Sequence, residues 1–151
     1  YRKRYDIDVR TVRPTAVYGP FDANQRVLYK FITRALNGQP LRVDGDGSMA
    51  LDFTYVDDTA NGIFRVATND TAAGETFNIA RGKSETLSKA ISIISETIGD
   101  VEVHYGEIPG HVPKRGTLDV SKARELIGFA PKFDLERALP RYIEHLKENP
   151  I

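Results

Sequence analysis

Residues 13–20 read Arg13-Pro14-Thr15-Ala16-Val17-Tyr18-Gly19-Pro20. With Val9, Thr11 and Val12 ahead of them, they predict a short buried strand over Asp8 to Val17 that leaves its sheet through a Gly-Pro turn. Residues 1–6 upstream are basic and polar and read as the tail of a helix. Downstream, Val27, Leu28, Phe31, Ile32, Ala35 and Leu36 recur at helical spacing, with Asn24 as a candidate cap and Asn37-Gly38 as the stop. Further strands are predicted at Leu41–Val43, Asp52–Val56, Glu75–Ala80 and Val101–Tyr105. Helices are predicted after Asp57-Asp58, from Ser84 or Thr86 to Gly99, over Ser121–Ile127 and over Leu135–Leu146, with Pro140 as a kink or boundary. Strand and helix alternate throughout, which predicts an α/β fold.

A chain of 151 residues fits one domain with a real core. Lys plus Arg equals Asp plus Glu at 21 each, so no long-range pull toward nucleic acid or a membrane is expected. The absence of cysteine excludes disulfides, thiolate nucleophiles and Cys-type zinc sites, and agrees with a reducing cytoplasm. No apolar run approaches the ~20 residues of a membrane span. The opening Tyr1-Arg2-Lys3-Arg4-Tyr5 has charge but no apolar stretch behind it, so it is not a signal peptide.

Several stretches bear on chemistry. In open α/β sheets ligands sit outside the carboxyl ends of strands, which puts Thr15 and Ala16 near a binding crevice. Gly45-Asp46-Gly47 is turn chemistry. Asp57-Asp58 suits the positive start of a helix better than a metal. His111-Val112-Pro113-Lys114-Arg115 is a cationic cluster in an irregular segment, either a solvated loop or a phosphate clamp. His104, His111 and His145 lack the spacing of a zinc site. Tyr18 and Tyr55 read as packing aromatics.

The order and spacing of four motifs resemble the C-terminal half of the extended short-chain dehydrogenases, the NAD-dependent nucleotide-sugar epimerases and dehydratases. The motifs are Arg13–Pro20, Gly45-Asp46-Gly47 running into Asp52–Asp58, Phe77-Asn78-Ile79-Ala80, and Leu118–Ala123 closing on Leu126–Pro131. The resemblance implies the C-terminal portion of a Rossmann-type parallel sheet plus the small substrate-binding subdomain. It also implies that residues 1–151 are one substrate-binding part, with the NAD-binding part lying in a missing N-terminal half. By resemblance Thr15 meets the cofactor, NAD or NADP. Ala16, Val43, Asp44, Lys114 and Arg115 take the positions that meet a nucleotide sugar.

Two of these positions depart from the family pattern. Ala16 stands where the family usually has Asn, and Leu51 where it usually has a diphosphate-holding Arg. Arg suits a diphosphate because its planar fork donates parallel hydrogen bonds and keeps its charge. Two parts of the family's chemistry are absent from the sequence. Gly45-Asp46-Gly47 is not followed by a third glycine at Ala50, and none of the seven tyrosines has Lys four residues on. The expectation is therefore a substrate-binding half that is catalytically incomplete alone and does not bind the dinucleotide by itself. Two alternatives stay open: a non-catalytic sensing or scaffolding member of the superfamily, or a reductase of a non-nucleotide carbonyl. The strands near Asp8–Val17 and Glu75–Ala80 are expected side by side or close in one sheet, with an exposed border for which a second copy is a candidate partner.

Overall fold

A computed structural model of the chain describes residues 2–108, 110 and 115–149. In chain order the elements are α1 (Arg2–Tyr5), β1 (Thr11–Pro14), β2 (Val17–Tyr18), α2 (Val27–Leu36), β3 (Leu41–Asp44), β4 (Ala50–Leu51) and β5 (Thr54–Tyr55). They continue with α3 (Val56–Thr68), β6 (Thr76–Ile79), β7 (Glu85–Thr86), α4 (Leu87–Ile98), β8 (Val103–Gly106), α5 (Ser121–Ile127) and α6 (Leu135–Glu148). The α/β expectation holds, and the strands pair mostly in parallel. β1 lies on β6, β2 on β5 and β3 on β8, all parallel, while β4 and β7 are antiparallel.

The expected neighbours do lie together, with Thr11 beside Thr76 and Pro14 beside Ile79. The single strand expected over Asp8 to Val17 is instead two. Ala16 takes a φ of +39°, which breaks the extended backbone between β1 and β2. Nor is β1 buried: Thr11, Arg13 and Pro14 are exposed, because among the described residues β1 pairs on one side only.

Apolar side chains gather in two clusters. The smaller one sits where α3 and α5 cover β6, with Phe77, Ile79, Ala123, Ile127 and Phe129 at its centre. Gly62 permits the close approach of α3, because a Cβ there would collide with Ile79 Cγ2 and lie 3.0 Å from Phe129 Cε2. The larger cluster joins α2, α4 and α6 to β3, around Leu28, Ile32, Leu41, Ile94, Leu139 and Tyr142.

Capping departs from the expectation at two helix starts and agrees at one. Asp22, not Asn24, receives the amides ahead of α2, those of Asn24 at 3.2 Å and Arg26 at 3.1 Å. Asp57 and Asp58 fall in the first turn of α3, but Tyr55 is its cap residue and makes no side-chain bond there. Asp58 instead turns away from its own helix. Its two oxygens accept the amides of Lys132 and Phe133, each at 2.9 Å, tying α3 to the approach to α6. Thr86 caps α4 through the Lys89 amide at 3.1 Å, as one of the two expected candidates. α6 continues through Pro140 rather than stopping there. Among the described residues no helix is long and apolar enough to cross a membrane.

Asp58 is 4% exposed, so removing its carboxylate leaves two amides without acceptors in a dry place. Asp58→Ala is expected to lower the unfolding free energy by roughly 3 kcal/mol. Urea denaturation reads this as a lower midpoint, and an unchanged midpoint would show that the two amides find other partners.

Candidate functional site

The backbone break at Ala16 shapes the site. Its carbonyl accepts the Thr54 amide at 3.3 Å, which lays the chain after β1 against β5. Opposite stands the turn from β4 to β5, with Leu51 and Phe53 8% and 5% exposed. Between them lies a cleft of about 380 Å³ whose walls include Ala16, Tyr18, Leu28, Met49, Leu51 and Phe53. Val17, Val27 and two arginines, Arg26 and Arg115, also line it. The body of the cleft is thus apolar, with two permanent positive charges beside it.

Arg26 is held through its own side chain, and Arg115 lies close in sequence to a tethered segment. Arg26 is the cap residue of α2, and its Nη1 donates to the Val17 carbonyl at 3.1 Å while lying 3.9 Å from Asp22 Oδ1. Arg115 opens a segment tethered a few residues on. Thr117 Oγ1 accepts the Ser84 amide at 3.2 Å, and the Leu118 amide donates to Asp52 Oδ2 at 3.0 Å. Asp52 is 1% exposed and also accepts the Gly82 amide on both oxygens, at 3.1 and 3.2 Å. One buried carboxylate therefore pins the turn after β6 and the segment carrying Arg115 to the wall that contains Leu51. Asp119 follows, and the Ser121 amide holds its carboxyl below the usual carboxylate range.

Of the positions singled out by sequence, Ala16, Leu51 and Arg115 meet at this cleft. Thr15 is half-buried just past the carboxyl end of β1, one residue before the cleft wall. Val43 is 2% exposed in the larger core, and Asp44 is exposed at the end of β3; neither lines the cleft. Lys114 lies outside the described residues. Arg26 escaped the sequence reading, because the cap of α2 was assigned to Asn24. A cation at the cap of a helix, where the dipole disfavours it, is the available signal.

Tyr18 and Tyr55 are buried and pack edge-on with ring centroids 5.6 Å apart. Burial, foremost, pushes the Tyr18 hydroxyl far above the ordinary tyrosine value, so it stays protonated and is unsuited to act as a base. Among the described residues no cluster of His, Asp and Glu could hold a metal ion. Nor does the Gly45–Gly47 loop fit a dinucleotide's pyrophosphate. The Gly45–Gly47 loop leads to β4 rather than to a helix, and the space beside Gly45 and Gly47 is filled by Ile108 and Ser88 side chains.

The sequence signature of the NAD dependent epimerase/dehydratase family matches residues 1–80, and the chain belongs to that family. It is 30% identical to a UDP-glucuronate 4-epimerase of Thermodesulfobacterium geofontis, over 99% of this chain and 46% of that protein. Among solved structures it is similar to the epimerase Mth375 of Methanothermobacter thermautotrophicus (27% identity, TM-score 0.92, 98% of this chain and 46% of that one). It is equally similar to the UDP-glucuronic acid 4-epimerase of Bacillus cereus in complex with UDP-glucuronic acid and NAD, at 27% identity and TM-score 0.91. That match covers 98% of this chain and 48% of the other. The chain thus spans about half the length of the relatives it matches.

The φ of Ala16 has a consequence for the cleft wall. A left-handed backbone costs an ordinary L-residue about 1–2 kcal/mol, and Asn bears it better because its side chain bonds locally. Ala16→Asn is expected to raise stability by roughly 0.5–1 kcal/mol. A lower thermal midpoint for this variant would mean that the cleft has no room for the longer side chain.

Proposed function

We propose that this chain is the substrate-binding half of an NAD-dependent nucleotide-sugar epimerase or dehydratase. The observation that carries the reading is the cleft: an apolar cavity beside the carboxyl end of a parallel strand, lined also by Arg26 and Arg115. In this reading Arg26 and Arg115 hold the diphosphate, so the charge missing at Leu51 is supplied from α2 and from the 115–118 segment. Guanidinium forks suit that task and stay charged at any working pH. Ala16 and the apolar wall lie against the sugar end, the backbone at Val43 and Asp44 borders the base away from this cleft, and Lys114, next to Arg115 in the sequence, is a further cation of that segment. Thr15 is the contact with the nicotinamide end of the cofactor, NAD or NADP.

When bound, the nicotinamide supplies hydride exchange with a sugar carbon. The residues described here bind and orient; none is suited to move the proton. Tyr18 is held protonated, and no tyrosine has the lysine partner that would activate one. The family's acid/base pair and its dinucleotide-binding turn then belong to an N-terminal segment, and the chain alone gives no turnover. The one-sided β1 is the border that such a segment, or a second copy, would extend. A cytoplasmic location fits the lack of cysteine.

The apolar walls favour one other reading, a reductase of a non-nucleotide carbonyl, in which the arginines take a carboxylate. Calorimetric titration of the full-length protein separates the two. UDP- or TDP-sugars are expected to bind, Arg26→Ala and Arg115→Ala each to weaken them about tenfold to a hundredfold, and Leu51→Arg to restore part of the loss in Arg26→Ala. Binding of no nucleotide sugar would overturn the proposal. Rescue that fails, with both alanine variants weakened, would show that position 51 no longer faces the diphosphate.

A further inference from the structure

Another cavity, of about 470 Å³, opens between the loop joining β2 to α2 and the last helix, and it shares no lining residue with the cleft. Phe21 and Asp22 stand on its loop side, Tyr29 comes from α2, and Tyr142, His145 and Leu146 come from α6. Its size is that of a small-molecule pocket. Three of the walls are aromatic rings. Tyr29 and Tyr142 are buried, whereas Phe21 is 90% exposed and sets its ring edge-on to His145, with centroids 5.2 Å apart.

One polar atom of this wall has no partner. Tyr142 is 0% exposed, and among the described residues nothing lies within hydrogen-bond reach of its hydroxyl. A buried hydroxyl left unpaired costs about 1–3 kcal/mol, so an incoming acceptor recovers part of that cost. Burial, and after it the charge of Asp22, push this hydroxyl above the ordinary tyrosine value, so it stays protonated and stands as a donor. Asp22 makes no matching demand. Its two oxygens already accept the Asn24 and Arg26 amides, and the Arg26 guanidinium lies 3.9 Å away. An anionic ligand would meet repulsion from Asp22, and a cationic one would find that charge already compensated. The chemistry that fits is neutral: a flat apolar body for the rings and one acceptor atom for Tyr142.

We propose that this cavity binds a small neutral aromatic molecule bearing a hydrogen-bond acceptor, an aryl ketone being the simplest case, with Tyr142 as the donor and the Phe21 ring as its outer cover. The site stands on α2, α6 and the loop between β2 and α2, and it does not depend on the nucleotide-sugar reading of the cleft.

The test is an NMR titration of the full-length protein with two probes of one shape, acetophenone and α-methylstyrene, which differ by a carbonyl oxygen against a methylene. Both are expected to bind. Tyr142→Phe is expected to weaken acetophenone about twofold to tenfold, the loss of one neutral hydrogen bond, and to leave α-methylstyrene unchanged. Phe21→Ala, a surface change, is expected to weaken both probes about twofold to tenfold through the lost ring contact. The thermal midpoint of Tyr142→Phe is expected to equal or exceed that of wild type, because the hydroxyl removed was unpaired. Three results would each overturn the site: no binding of acetophenone to wild type, unchanged acetophenone affinity in Tyr142→Phe, or unchanged affinity for both probes in Phe21→Ala. A lower thermal midpoint for Tyr142→Phe would also overturn it, by giving the hydroxyl a structural partner such as a buried water.

Discussion

Two buried carboxylates hold this structure together. Asp52 and Asp58 are 1% and 4% exposed, and the bonds found for their carboxylates come from backbone amides rather than cations. A dry carboxylate is costly unless donors are already aimed at it. Each therefore demands that remote amides arrive in place: Gly82 and Leu118 for Asp52, Lys132 and Phe133 for Asp58. The chain has two apolar clusters that share no buried residue. Asp58 joins α3, on the smaller cluster, to Phe133, which packs on the larger one.

The cleft follows from the same constraint. Leu51 and Phe53 flank Asp52 and face the cavity, while the carboxylate between them points to the turn after β6. The tether to Leu118 holds the segment that follows Arg115 to the same wall. Charge enters the cleft from its borders, through residues that other elements position, and the body is left apolar.

Much of this was legible in the chain itself. Helical spacing located α2, α4, α5 and α6, and the Gly99 and Gly128 stops fall where expected. The β1–β6 pairing agreed with the expected neighbours. Less legible were the two-residue strands β4 and β7, too short to carry any period. The burial of β1 was misjudged because alternation reports which faces are apolar and not whether a neighbour is present. The capping role expected of Asn24 falls to Asp22, and Asp58 bonds remote amides, for a related reason. An acidic or amide side chain at a helix start looks the same in sequence whether it bonds its own helix or an amide some 70 residues away.

At the site, the sequence pointed to Ala16, Leu51 and Arg115 separately, and only the fold brought them to one cavity with Arg26. Local chemistry determined the element types, their ends, and the absence of a glycine-rich dinucleotide turn and of a Tyr–Lys pair, since each depends on residues within a few positions of one another. The tertiary structure decided where the charges stand and which carboxylates are buried. Those depend on amides and side chains from remote segments meeting in a water-poor interior, and no spacing along the chain encodes such a meeting.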